Sequence, residues 1–394
     1  MAAGNGEALS GIGRRSLMAA AAAATVAPGH VFASTPLKFG VVLPLTGPAA
    51  FYGADQVKAI SWAVEDVNKA GGAAGQPLQM VAIDSQADPQ VGIAAVNRLV
   101  SVEKAPAYVV SWSGVVRATA VVANREKILE LSSGATSPNI AKLGEYVYTI
   151  FPLADVEAVS AAKWQVTQLK KPKAAVVYVN NEGGIDGAKY YRDAFVAAGG
   201  SVVAYEAYDP KQTDFSGMLL RVQAANPDII WVQGDVADIP LVIGQIRQLG
   251  LKQTIATTSS GQNMRIVQQL GPAAEGLLVT SLAPGPDVNP NVAKFIERWE
   301  KEEKRIPNGL PFTQYMYDSV YVLRDLFRHT LDKKRSPTGE NLRLAMTEIP
   351  SFDLPMTGTL KIISENGEHR VKKPVYILQV KGGKYVPFAT IGVD

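Results

Sequence analysis

Short apolar runs alternate with longer amphipathic stretches along most of this 394-residue chain, and that alternation limits its fold more than any other feature. Runs rich in valine, isoleucine and tyrosine predict strands at 37–43, 78–84, 107–111, 128–131 and 146–150. Helical periodicity fills 53–69, 89–103 and the region near 115–124. A second series follows, with strands at 174–179, 201–207, 229–233, 254–258 and 277–280. Its helices fall near 186–198, 214–225, 238–249 and 264–270. Repeated strand-helix units build mostly parallel sheets with right-handed crossovers. The chain is also too long for one ordinary core. The expected fold class is therefore α/β: two Rossmann-like lobes with parallel sheets, without a tight sequence repeat between them.

Past the loop Ala283-Pro284-Gly285-Pro286-Asp287 the pattern changes. Helices are expected at 291–304, near 313–331 and at 342–346. Asn366-Gly367 between alternating runs then marks a hairpin. A chain that builds one lobe, then the other, and returns must cross between them more than once. Several crossings make a multi-strand hinge, and a hinge between two sheets makes a cleft. We expect residues 34–152 and 283–355 to form lobe 1, and 153–282 and 356–394 to form lobe 2.

Residues 1–33 are set apart as an export signal. Arg14-Arg15 precede Leu17-Met18, six alanines from Ala19 to Ala24, and Val31-Phe32-Ala33 placed for cleavage before Ser34. The paired arginines and mildly apolar core suggest the twin-arginine route. The apolar stretch is too short to span a bilayer, so we expect periplasmic export without membrane insertion after cleavage. The formal net charge of +3 is spread without a basic block, which argues against nucleic acid as a partner. With no cysteine, thiolate chemistry and Cys-ligated metals are excluded.

The turn Leu43-Pro44-Leu45-Thr46-Gly47-Pro48 closes the first strand, and Phe51 and Tyr52 precede the helix. Open parallel sheets bind ligands at the carboxyl ends of strands, so Thr46 and Tyr52 are site candidates. Ser111-Trp112-Ser113-Gly114 follows the third strand, and Ser133-Gly134-Ala135-Thr136 the fourth. Hydroxyls and free amides at turns and helix starts favour an anion, with a carboxylate as the obvious case. For any one serine, capping is the plainer role; three such turns at neighbouring strand ends point to a site. In the second lobe, Glu182, Asp235 and Ser260 sit at comparable turns, and either acid has the charge to hold a ligand amine. Of Phe312, Tyr315 and Tyr317, one is expected to line the cleft, with Tyr315 taken as the candidate.

Catalytic patterns are poor. There is neither a G-x-G-x-x-G fingerprint nor a G-x-S-x-G elbow. Two S-x-x-K matches, at Ser101 and Ser160, lie in amphipathic helices without companion motifs. His30, His329 and His369 have no metal-ligand spacing, and His369 reads as exposed. No catalytic, metal or cofactor residue is assigned.

The segments F-G-V-V-L-P-L-T-G-P-A-A-F-Y-G from Phe39 and A-V-E-D-V-N-K-A-G-G from Ala63 are similar to leucine/isoleucine/valine-type periplasmic binding proteins. So are Ser133–Pro138, Tyr317-Asp318, Gly358 and Asn366-Gly367, and the resemblance spans essentially all of the chain after residue 33. It implies a type I solute receptor of a branched-chain amino acid ABC importer, serving a membrane permease. It further implies that Trp112, Ser113, Gly134, Ala135 and Thr136 hold the ligand carboxylate, and that lobe 2 supplies tyrosine and acid for an amine. This chain has Asn180-Asn181-Glu182-Gly183-Gly184 where amino-acid binders of this kind often lead into Tyr-Gly. Trp112 adds unusual bulk beside the carboxylate position. The expected function is a receptor for a hydrophobic or branched-chain amino acid. An aromatic carboxylic acid is the alternative ligand, and an exported α/β enzyme acting on a small acid the alternative of another class.

Overall fold

The structure is a computed structural model and describes residues 35–392. The expected export signal lies outside the described residues. Lobe 1 opens with β1 (Leu37–Leu43), α1 (Ala50–Lys69), β2 (Leu78–Asp84), α2 (Pro89–Arg98), β3 (Ala107–Val110), α3 (Ser113–Glu126), β4 (Leu129–Ser132) and β5 (Val147–Thr149). These strands form one parallel sheet in the order β2-β1-β3-β4-β5. β1 is almost wholly buried, as expected for a strand covered by helices on both faces. The Asp88 carboxylate accepts from the Gln90 and Val91 amides, and Pro89 occupies the first turn, so α2 starts where its orphan donors are satisfied. The helix expected over 89–103 ends at Arg98, and a π-helical turn covers Leu99–Glu103.

Lobe 2 contains α4 (Ala154–Thr167), β6 (Lys173–Val179), α5 (Glu182–Ala197), β7 (Ser201–Tyr208), α6 (Ser216–Ala224), β8 (Ile229–Gln233), α7 (Ile239–Gln248), β9 (Thr254–Thr257), α8 (Met264–Leu270) and β10 (Leu278–Ser281). The chain then returns to lobe 1 through α9 (Pro290–Glu303), α10 (Leu310–Asp332) and α11 (Gly339–Glu348). α10 is buried along most of its length and packs on α1. Two small antiparallel pairs follow, β11 (Phe352–Leu354) with β12 (Gly358–Leu360) and β13 (Ile362–Glu365) with β14 (Glu368–Val371). Finally β15 (Val375–Lys381) and β16 (Lys384–Ile391) join the second sheet, whose order is β16-β15-β10-β9-β8-β6-β7.

Within that sheet the parallel strands run β7-β6-β8-β9-β10, the same order by rank as lobe 1. Each sheet therefore reverses its winding beside its own first strand, between β1 and β3 in lobe 1 and between β6 and β8 in lobe 2. Such a reversal leaves a crevice outside the carboxyl ends of the strands. The stretch expected in lobe 2 from residue 356 enters the second sheet only at Val375. Before that, β14 packs against β5 of lobe 1, and Arg370 on β14 binds Asp155 of α4 at 2.6 Å. His369 is half-buried rather than exposed, because its ring stacks on Tyr148 at 4.3 Å between centroids. A buried network fixes the same hinge. Asp318 accepts from the Met356 and Thr357 amides, and Lys373 donates to the Thr357 and Thr359 carbonyls.

Candidate functional site

The two crevices face each other across one cavity of about 410 Å³. The lobe-1 wall comes from three strand ends. After β1, Pro44 ends the strand and α1 starts three residues earlier than the sequence pattern predicts, at Ala50. Gly53 lets that first turn press on the strand end, since a Cβ there would collide with the Pro44 carbonyl. Phe51 and Tyr52 are thereby carried into the cavity wall. After β3, Trp112 has φ 70° and ψ 120°, a backbone conformation that bulky L-residues avoid. Such strain costs on the order of 1–3 kcal/mol and persists only where the surroundings enforce it. Here it turns the chain directly from β3 into α3, placing the indole and the first-turn amides of α3 on the cavity. Those amides have no intrahelical acceptor and carry the positive end of the helix dipole.

After β4, Gly134 has φ +95° and packs against Ser111 and Phe312, so glycine is needed there on both counts. The Ser113 hydroxyl accepts from the Thr136 amide at 3.3 Å and the Ser137 amide at 3.2 Å. It therefore locks the third turn to the second and keeps its own proton available. Gly134, Ala135 and Thr136 line the cavity, and among the described residues no group bonds the Thr136 hydroxyl. Behind this wall Tyr52 meets Trp112 and Phe312 edge-on, at 6.3 and 6.1 Å between centroids. Phe312 in turn stacks on Phe151 at 5.0 Å.

The lobe-2 wall is polar. Asn181 caps α5 by accepting from the Gly184 amide at 2.8 Å. Its side-chain amide donates to Asp235 Oδ2 at 2.9 Å. Asp235 is exposed on the cavity wall, and the protein packed around it pushes its carboxyl up, against the Asn181 hydrogen bond. Just behind it, burial first and the Asp235 charge second raise Asp238 to about 7. Glu182 lines the cavity with its stem, but its carboxylate is shut off from water. Arg117 on α3 approaches Glu182 Oε2 to 2.8 Å without the angle of a hydrogen bond. Glu182 is thus held by lobe 1, and Asp235 is the carboxylate that faces the open space. Ser260 completes this side.

Tyr52, Trp112, Ser113, Gly134, Ala135, Thr136, Glu182, Asp235 and Ser260 are all brought together on the wall; Thr46 and Tyr315 are not. Thr46 turns away because its hydroxyl and amide both donate to Asp84, at 2.5 and 3.3 Å. Burial pushes Asp84 up, but hydrogen bonds from Thr46, Gln86 and Leu45 outweigh it and hold the carboxyl low. Tyr315 is fully buried and donates to the Leu282 carbonyl at 2.9 Å, which ties α10 to the hinge. Phe312, one turn earlier on α10, is the residue that reaches the cavity. Gln56 also lines it, with Oε1 unpartnered. Sequence reading passed over Gln56, although it sits one helical turn after Tyr52 and so shares its face.

The lobes touch around the cavity rim. Ser137 Oγ and Asn139 Nδ2 both donate to Asp186 Oδ2, at 2.7 and 3.0 Å. The Arg265 guanidinium of α8 lies 4.7 Å from the Phe51 ring centroid. Among the described residues no cluster of three or more His, Cys, Asp or Glu has metal-site geometry, and no helix is long and apolar enough to cross a membrane.

The sequence profile of the periplasmic binding protein family matches residues 36–384. The leucine-specific-binding protein of Salmonella typhimurium is 26% identical over 290 residues, covering 73% of this chain and 77% of that protein. The crystal structure of a leucine-binding protein from Thermotoga maritima superposes with a TM-score of 0.80 at 24% identity, covering 90% of this chain and 99% of the other. A solute-binding protein from Rhodopseudomonas palustris in complex with 3,4-dihydroxybenzoic acid also reaches a TM-score of 0.80, at 19% identity, covering 91% of this chain and 97% of the other.

Proposed function

This chain belongs to the periplasmic binding protein family, and on that premise we propose that it is the exported solute receptor of an ABC importer whose ligand is a hydrophobic α-amino acid. The observation that carries the ligand is the polarity of the cavity. The amides of Ser113 and Ala135 and the hydroxyls of Ser113 and Thr136 on lobe 1 suit a carboxylate. Asp235, opposite them on lobe 2, suits an ammonium. Burying an ammonium without a partner costs several kcal/mol, so an acid opening on the cavity is what an amino-acid ligand requires. The aromatic wall between the two poles takes the apolar side chain. Relatives named as leucine-binding proteins support the reading.

Binding to both walls favours the closed arrangement, because the ligand gains contacts that the open one lacks. A membrane permease would then read the paired surfaces of the two lobes, after the segment 1–33 has directed export and been removed. The second ligand reading, an amine-free aromatic acid, rests on the Tyr52, Trp112 and Phe312 rings, and a neighbour of the same fold holds such an acid.

Thermal unfolding of the mature chain with leucine, phenylalanine or benzoate separates the two. A true ligand at a hundred times its dissociation constant stabilises by about 2.7 kcal/mol. Stabilisation by amino acids is expected; stabilisation by amine-free acids alone sinks the amino-acid reading. Chemical conversion of the bound solute by pure protein would replace the receptor role with an enzymatic one.

A further inference from the structure

We propose that the ligand's side chain is an aromatic ring, so that the receptor prefers phenylalanine, tyrosine or tryptophan to leucine, isoleucine or valine, and that Trp112 is the residue that sets this preference. The inference rests on the amino-acid reading above and narrows it.

Three observations carry it. The large apolar side chains of the cavity are rings, Phe51, Tyr52, Trp112 and Phe312, beside the smaller Pro48, Ala49, Val236 and Ala237. Aromatic rings gain about 1 kcal/mol beyond burial from edge-on or offset contact with another ring, which an aliphatic side chain cannot match. Second, the rings are fixed in place. Phe51 stacks on Tyr52 at 4.7 Å, Tyr52 stands edge-on to Trp112, and Phe312 is backed by Phe151. A wall so braced cannot collapse around a smaller branched side chain. Third, the cavity of about 410 Å³ leaves room for a ring-bearing side chain.

Trp112 is singled out because its position is enforced. Its left-handed φ fixes where the side chain leaves the turn from β3 into α3, and the indole meets Tyr52 edge-on. It also stands beside the α3 amides that would take the carboxylate, so it meets the ligand next to the backbone end. An aromatic ring can extend from there toward Tyr52 and Phe312.

The test is isothermal titration of the mature wild-type chain with phenylalanine, tyrosine, tryptophan, leucine, isoleucine, valine and benzoate. At least one aromatic amino acid is expected to bind tenfold or more tightly than any aliphatic one. In Trp112→Leu that advantage should fall below threefold, with affinity for the aromatic amino acid dropping more than affinity for leucine. If leucine, isoleucine or valine matches or exceeds the aromatic amino acids in the wild type, the inference is overturned and the amino-acid reading stands. If benzoate alone binds, the amino-acid reading falls and takes the inference with it. Should Trp112→Leu fold poorly, Trp112→Phe replaces it; an unchanged preference in both variants removes Trp112 as the determinant.

Discussion

The two walls of the cavity are built on sheets of the same strand order, yet they differ in chemistry. The lobe-1 wall is rings, hydroxyls and helix amides, held by short local turns and by the length of α10 behind them. The lobe-2 wall is amide and acid, with Asp235 facing the cavity and Asp238 behind it. One fold can support both because the sheet only sets where the loops go, and the loop residues set what they do. The contrast teaches a division of labour. Lobe 1 supplies shape and hydrogen-bond donors on turns that Ser113 ties together. Lobe 2 supplies a carboxylate exposed to the cavity, where an ammonium would meet it.

The sharpest way to break this contrast is to remove the countercharge. Asp235→Ala should weaken amino-acid binding by about 3 kcal/mol, more than a hundredfold, because a buried ammonium loses its partner. Binding of an amine-free acid should survive, so calorimetry with both ligand types reads the walls separately. Equal losses for both would erase the distinction.

Acidity should touch the lobe-2 wall first. The carboxyls of Asp235 and Asp238 are raised in the folded chain, Asp238 to about 7. The folded state therefore holds protons that the unfolded state releases, so both groups favour the folded protein at acid pH, and Asp238 loses that contribution as pH rises through about 7. An ammonium is drawn by the ionised forms, so amino-acid affinity should change the other way and rise as pH increases toward 7, where Asp238 ionises. Asp238→Asn should flatten the affinity profile. Tyr208 is the other titratable group beside Asp238; burial pushes its phenol up, so it stays neutral across this range.

Closure links the walls, and Asp186 is its most direct contact. Asp186→Ala removes the bonds from Ser137 and Asn139 without touching the cavity lining. Affinity should fall by about fivefold, from the loss of roughly 1 kcal/mol in the closed state, and small-angle scattering should show a more open ligand-free population. The smallest effect is expected at Thr46. Its hydroxyl is engaged by Asp84 at the lobe-1 rim, so Thr46→Ala should leave affinity within about twofold while lowering the melting temperature slightly.

Several pieces were legible because they depend on local pattern. The strand ends at Leu43, Asp84 and Val179 fall where valine-rich runs meet a turn, and the residues just beyond β3 and β4 reach the cavity because parallel strands place their carboxyl ends on one edge. Residues further along a helix were harder. Gln56 and Phe312 face the cavity because of how α1 and α10 pack, and Tyr315 looked as suitable as Phe312 until packing pointed it at the hinge. Thr46 carried the right chemistry in the right turn, but its partner Asp84 lies 38 residues away in sequence.

By itself the sequence determined the two-lobe α/β architecture, the approximate place of the cleft and the family, since periodicity, turn residues and strand-end motifs are properties of neighbouring positions. Only the tertiary structure decided which acid is free. Glu182 and Asp235 read alike along the chain, both at strand-end turns of lobe 2. Folding brings Arg117 from the other lobe onto Glu182 and leaves Asp235 beside Asn181 and the open cavity. That difference comes from contacts between residues far apart in sequence, and it gives the site its two poles.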